Sequence, residues 1–195
     1  LFRIPFPFSW SFPAMLRQIL LFPFVLLTVQ SACPYPNGTD TAINMYSCGS
    51  SADTISILSY TLSDVNGKPL YPVVPSKPFV LDMQSFNSGP DYTDIKASVR
   101  IFEYQKSWTT GQCAWSEIPT FGALDNIDAC DFADNCPWKH GDLEINMVID
   151  LSDYSNIISM LSKNAAVQLQ LTMKNYNEGS KHEEIGCFIG QMKIQ

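Results

Sequence analysis

The sequence predicts an all-β protein, an immunoglobulin-like antiparallel β-sandwich. Three observations predict it. Short runs of alternating apolar and polar residues recur along the chain, turn-forming residues separate them, and an even set of six cysteines follows an apolar leader. Alternation at period two puts every second side chain on one face, so such runs read as strands buried on one side only. Residues 32–195 read as a single domain, long enough to bury a core of its own.

Residues 1–32 hold no acidic residue and only two basic ones, Arg3 and Arg17. From Met15 the order is that of a secretory signal peptide: Arg17 as a positive n-region, an apolar h-region over 19–29, then the small residues Ser31 and Ala32. Residues 15–31 are therefore expected to be a signal peptide cut after Ser31, leaving Ala32 or Cys33 as the mature N-terminus. The apolar run is 11 residues long and contains Pro23. A bilayer needs about 20, so a membrane anchor is the poorer reading. Residues 1–14, with Pro5, Pro7 and Pro13 among aromatics, are expected to be an upstream extension before a start at Met15.

The first strand is expected at 54–63 (TISILSYTLS), ended by the turn pair Asn66-Gly67. The next stretch carries Pro69, Pro72, Pro75 and Pro78. Proline donates no ladder hydrogen bond, so 69–78 is expected to be an edge or irregular connection. Strands follow at 79–86 and 95–104, with Gly89-Pro90 between them. The clearest alternation is at 143–151, where Glu144, Asn146 and Asp150 oppose an aliphatic face, and 165–174 repeats it. One or two helical turns are expected within 155–163 and a last strand at 184–194. The stretch 105–142, with Trp108, Trp115, Phe121, Trp138 and three cysteines, is expected to be a long functional loop.

Beyond residue 32 the chain has 10 basic against 19 acidic residues, which argues against charge-driven binding to nucleic acid or anionic membranes. All six cysteines lie beyond the expected cleavage site and read as three disulfides, with their connectivity left open by the spacing. No metal site is expected, since the sequence has no C-x-x-C pair. Asp125, Asp128, Asp131 and Asp134 recur every three residues without the rhythm or glycine of a calcium loop, and read as a solvated acidic loop. His140 and His182 have no G-x-S-x-G elbow to serve and read as surface residues. Neither a catalytic set nor a cofactor is expected. Asn37-Gly38-Thr39 is an N-glycosylation sequon in a turn-rich stretch.

One ordered combination of residues goes further. Cys48-Gly49-Ser50 precedes the first strand; Cys130, five residues, then Cys136-Pro137-Trp138-Lys139-His140-Gly141 precede two alternating strands; and Cys187 stands eight residues from the end. From Cys48 to Gln195 this order resembles the ML lipid-recognition domain family, whose members include the Niemann–Pick type C sterol-transfer protein and the ganglioside activator protein. The resemblance implies disulfides Cys48–Cys187 and Cys130–Cys136, which leaves Cys33 with Cys113. It also implies an apolar cavity between splayed sheets that holds a lipid: a sterol, phospholipid or glycolipid tail.

The cavity candidates are Leu81 and Met83, Val99 and Ile101, Leu143, Ile145, Met147 and Ile149, Val167, Leu169, Leu171 and Met173, and Phe188 and Met192. Trp115 and Phe121 join them from the long loop, as aromatics suited to a pocket mouth or a transient membrane contact. The implied compartment is extracellular or the endosomal-lysosomal lumen. Two other readings stand beside the lipid carrier: an activator that presents glycolipid to a hydrolase, and an adhesion or receptor-binding sandwich with a filled core. Alternation alone does not separate a cavity from a core packed solid.

Overall fold

The computed structural model describes residues 33–195 apart from Asp134. The expected extension (1–14), signal peptide (15–31) and cleavage after Ser31 lie outside the described residues. Nine strands occur among the described residues: β1 (Asn44–Ser47), β2 (Ile55–Asp64), β3 (Phe79–Asn87), β4 (Ile95–Lys106), β5 (Cys113–Ile118), β6 (Ile127–Asp128), β7 (Gly141–Ile149), β8 (Ala166–Asn175) and β9 (Glu184–Lys193). Short 3-10 turns and one helical turn, α1 (Ser155–Ile158), complete the elements the site uses.

The strands form two antiparallel sheets. One runs β1-β9-β8-β4-β5, with β6 paired to the start of β4; the other runs β2-β3-β7. The alternation of β8 translates into a face directly. Val167, Leu169, Leu171 and Met173 stand opposite Met192, Gly190, Phe188 and Gly186 of β9, and opposite Glu103, Ile101, Val99 and Ala97 of β4, all on the side facing the second sheet. That second sheet answers with Phe79, Leu81 and Met83 of β3, which pair with Ile149, Met147 and Ile145 of β7.

β2 shows how one extra residue re-aims a strand. Its register against β3 shifts between Ile57 and Ser59. Leu58 is the inserted residue and is exposed, and the packed positions change from Ile55 and Ile57 to Tyr60 and Leu62. A bulge of this kind at an edge strand both twists the strand and blunts its pairing with other chains.

Two expectations are corrected and a third, the irregular 69–78 connection, gains a detail. The stretch 105–142 is not one long loop, because it contains β5, β6 and a 3-10 turn over Ala129–Asp131. β5 is an edge strand with polar and apolar residues on its outer side, so it lacks the alternation that marks a half-buried strand. β1 was not expected, since four residues carry little periodicity; it pairs with β9 just before Cys48. The proline-rich 69–78 stretch is irregular, but Val73 bridges Ile194 in parallel and ties it to the sandwich.

Three disulfides close the fold: Cys33–Cys113, Cys48–Cys187 and Cys130–Cys136. The second joins residues 139 apart in sequence, from the β1–β2 turn to β9. Such bridges narrow the unfolded ensemble, and removal from a small secreted domain typically costs roughly 2–5 kcal/mol. Three intramolecular disulfides fit an extracellular or lumenal protein.

Candidate functional site: the apolar space between the sheets

The core divides along the strands into two ends. At one end Ile55, Met83, Tyr92, Ile95, Leu143, Ile145 and Ile185 pack around Trp138, which is 1% exposed. At the other, Phe79, Ile101, Val167, Met192 and Ile194 meet Ile157 of α1. Between them lies a space of about 220 Å³. Thirty-two residues border it and none carries a charge; a guest there meets only hydrocarbon, sulfur and aromatic surface.

Each sheet supplies one wall. Leu81 and Met83 of β3 and Met147 and Ile149 of β7 form one. Val99 and Ile101 of β4, Val167, Leu169, Leu171 and Met173 of β8, and Phe188 and Met192 of β9 form the other. Gly190 helps to make the room. It sits on the inner face of β9 opposite Leu169, and a Cβ there would touch the methyl ends of Met192 and Met45 at 3.7 Å. Tyr154, Ile157, Ile158 and Leu161 close one end. That closing segment is held by Glu103, whose Oε2 accepts the Ser162 N–H at 2.9 Å, and by the Tyr35 hydroxyl, which donates to the Asn164 carbonyl at 2.6 Å.

Four of the expected lining residues are placed elsewhere. Leu143 and Ile145 point inward but are packed solid at the Trp138 end. Trp115 pairs with Tyr104 across β4 and β5, which sets it on the outer face of its sheet, with ring centroids 5.1 Å apart. Phe121 occupies a turn at φ 52° and is 88% exposed. The residues that sequence reasoning missed are those of short or irregular segments: Ile43, Met45, Leu124 and the 151–161 turns. Apolar residues spaced three or four apart in 154–161 were the available signal.

Other singled-out groups have local partners. His140 Nδ1 lies 2.8 Å from the Gly89 carbonyl, and His182 stacks on Tyr176 at 4.0 Å. Asp128 accepts from Lys96 at 2.8 Å and from the Cys130 N–H at 3.0 Å, so it caps the 3-10 turn. Its carboxyl is held below the usual range first by the Lys96 hydrogen bond. Among the described residues no group of three acidic, His or Cys side chains is placed to hold a metal ion, and no helix is long and apolar enough to cross a membrane. Asn37 is exposed, with its Nδ2 donating to Gln191 Oε1 at 2.7 Å.

Comparison with known proteins adds little. No family model and no curated protein matches the chain. Among solved structures, the C-terminal domain of wzt is similar at 11% identity and a TM-score of 0.38, over 81% of each chain.

Proposed function

We propose that this protein binds a lipid, sheltering its apolar part between the two sheets, and catalyses no reaction of its own. The observation that carries the reading is the uncharged space of about 220 Å³ between the sheets. Protein interiors are close-packed and leave few voids larger than a water molecule. A dry cavity of about 150 Å³ lined by aliphatic residues already takes up benzene. A space this large, with methionines from five strands on its walls, suits a flexible or irregular apolar guest. The resemblance to the ML family supports the same reading, as do the signal-like segment, the sequon at Asn37 and the disulfides.

A membrane is the source such a carrier draws on. Trp108, at the tip of the β4–β5 connection, is 95% exposed, and Val65 and Met160 are exposed at the same end of the sandwich. Indole favours the boundary between headgroups and acyl chains. Lys68, Lys77, Lys106 and Lys163 also lie at this end, outside any ion pair among the described residues. Asp91, Asp94, Asp142, Glu178, Glu183 and Glu184 lie toward the opposite end, while Asp64, Asp150 and Asp153 share the end with these lysines.

The test is mass spectrometry of lipids extracted from natively purified protein, joined to a variant. Leu169→Trp fills guest volume, and is expected to lower displacement of a fluorescent lipid while the protein still melts cooperatively. In a core packed solid the same change overpacks and costs roughly 1–3 kcal/mol, with no binding to lose. A wild-type protein that binds no sterol, fatty acid, phospholipid or glycolipid sinks the reading.

A further inference from the structure

Asn37-Gly38-Thr39, the one N-x-[ST] sequon of the chain, lies in a segment, 33–43, that straps the larger sheet. The strap is fixed at both ends: Cys33 is bonded to Cys113 of β5, and β1, which follows it, pairs with β9. Between them Asn37 Nδ2 donates to Gln191 Oε1 at 2.7 Å, and Gln191 is 1% exposed. The rest of the Gln191 amide is in use as well. Its Oε1 also accepts from Asn44 Nδ2 at 3.1 Å, and its Nε2 donates to Gln168 Oε1 at 2.8 Å and to the Tyr46 hydroxyl at 3.2 Å. Thr39 is fully buried; its hydroxyl donates to the Pro36 carbonyl at 2.7 Å, and its carbonyl accepts the Tyr71 hydroxyl at 2.6 Å.

We propose that Asn37 carries an N-linked glycan, attached before this strap docks and accommodated afterwards because the fold uses one of the two Nδ2 hydrogens. The inference rests on the secretory reading of the leader and is independent of the lipid reading. The folded chain hides the acceptor motif, since the threonine that completes it is sealed beneath Tyr71. What seals the strap arrives late. Gln191 stands 154 residues downstream of Asn37, and Cys113 stands 80 beyond Cys33. A chain lengthens by about 5–20 residues per second, so the sequon precedes β9 by about 8–30 s. Over that interval the sequon has no β9 to dock on and is open to a transferase.

The donor is an oligosaccharide linked to a lipid pyrophosphate. Its anomeric carbon forms a bond to Nδ2, its bond to the phosphate oxygen breaks, the lipid pyrophosphate leaves, and one Nδ2 proton is given up to the transferase. A side-chain amide nitrogen has two hydrogens, so one remains after transfer. That hydrogen keeps the bond to Gln191. The place of the other is open to the sugar, because Asn37 is exposed and its Nδ2 meets no second acceptor among the described residues. The backbone allows both at once. Asn37 sits at φ 55°, a conformation that asparagine adopts more readily than most residues, and Gly38 follows at φ 77°.

The test has three arms, and none depends on a variant that must fold. In the first, the full chain is expressed in animal cells and recovered from the medium and the lumenal fraction. Peptide mass mapping is expected to find the glycan on Asn37. Recovery with Asn37 bare overturns the inference, whereas a chain present in neither fraction sinks the secretory reading with it. In the second, the same chain made in bacteria is offered to a purified transferase with its lipid-linked oligosaccharide. The reduced, unfolded chain is expected to be modified at least about tenfold faster than the oxidised, folded one, and equal rates overturn the order of events. In the third, an endoglycosidase trims the glycan to a single sugar, which leaves the remaining Nδ2 hydrogen in place. The trimmed protein is expected to melt no more than about 2 °C below the folded bacterial one. A larger fall, of the size that loss of a buried hydrogen bond brings, means that the sugar displaces Gln191 and overturns the accommodation.

Discussion

Gly190 and Ile145 are both on inward-facing positions, and they answer to different physics. Ile145 is 1% exposed and surrounded at the Trp138 end, so Ile145→Ala leaves a cavity and is expected to cost about 2–5 kcal/mol. Gly190 borders the open space, and a Cβ there meets only flexible methionine ends at ordinary contact distance. Gly190→Ala is therefore expected to be neutral or to stabilise by up to about 1 kcal/mol, by removing glycine's entropy in the unfolded chain. Urea unfolding of the two variants measures the contrast. A cost above 2 kcal/mol for Gly190→Ala would mean that this part of the interior is packed solid. The sequence displays both residues as inward, since period-two alternation reports the face. It says nothing of whether the facing side chain meets a neighbour or a gap, which depends on how far apart the sheets stand. Trp115 and Phe121 were misplaced for a related reason: aromatic character marks neither face nor depth, and both sit where register or turn geometry turns them outward.

At the scale of elements, the long alternating strands were legible to within two residues at each end, because each buries one face in a single register. The expected 143–151 and 165–174 correspond to β7 at Gly141–Ile149 and β8 at Ala166–Asn175. What escaped is the closing segment over 150–164. Its apolar residues are spread over two short turns, and the residue that anchors it, Glu103, is remote in sequence. Glu103 is buried on β4, and its carboxylate receives the Ser162 N–H. Glu103→Ala removes that acceptor and leaves a backbone N–H near the interior without its partner, typically a loss of about 1–3 kcal/mol. The expected outcome is local: faster amide exchange over 151–163 than in β8, and faster release of a bound fluorescent lipid. Uniform acceleration across all strands would show instead that Glu103 supports the whole sandwich.

For the whole molecule, the excess of acidic residues matters less than where the carboxylates find partners. Five of them are held below their usual range, each chiefly by a hydrogen bond: Asp64 by the Lys68 backbone N–H, Asp91 by the Lys139 side chain, Glu117 by Arg100, Asp128 by Lys96 and Glu183 by the Asn175 side chain. These links join turns and neighbouring strands around the fold, including the 88–94 turn to the 136–140 loop. A carboxyl whose folded pKa lies below its unfolded value binds fewer protons in the folded state, so it adds stability above the unfolded pKa. That stability is lost as pH falls through the folded value. Unfolded Asp and Glu titrate near about 3.9 and 4.3. Through these groups the melting temperature is therefore expected to stay flat from neutral pH to about 5, and to fall only below about 4. Lys96, raised by its hydrogen bond to Asp128, has the opposite sign: its contribution is complete below its unfolded pKa, near about 10.4, and is lost only at higher pH. The stable window thus takes in both a neutral extracellular medium and an acidic lumen, the two compartments the disulfides allow. Thermal unfolding between pH 3 and pH 8 checks this, and Asp91→Asn or Asp128→Asn should blunt the acid-side fall. A steep loss between pH 7 and pH 5 would assign acid sensitivity to groups other than these carboxylates.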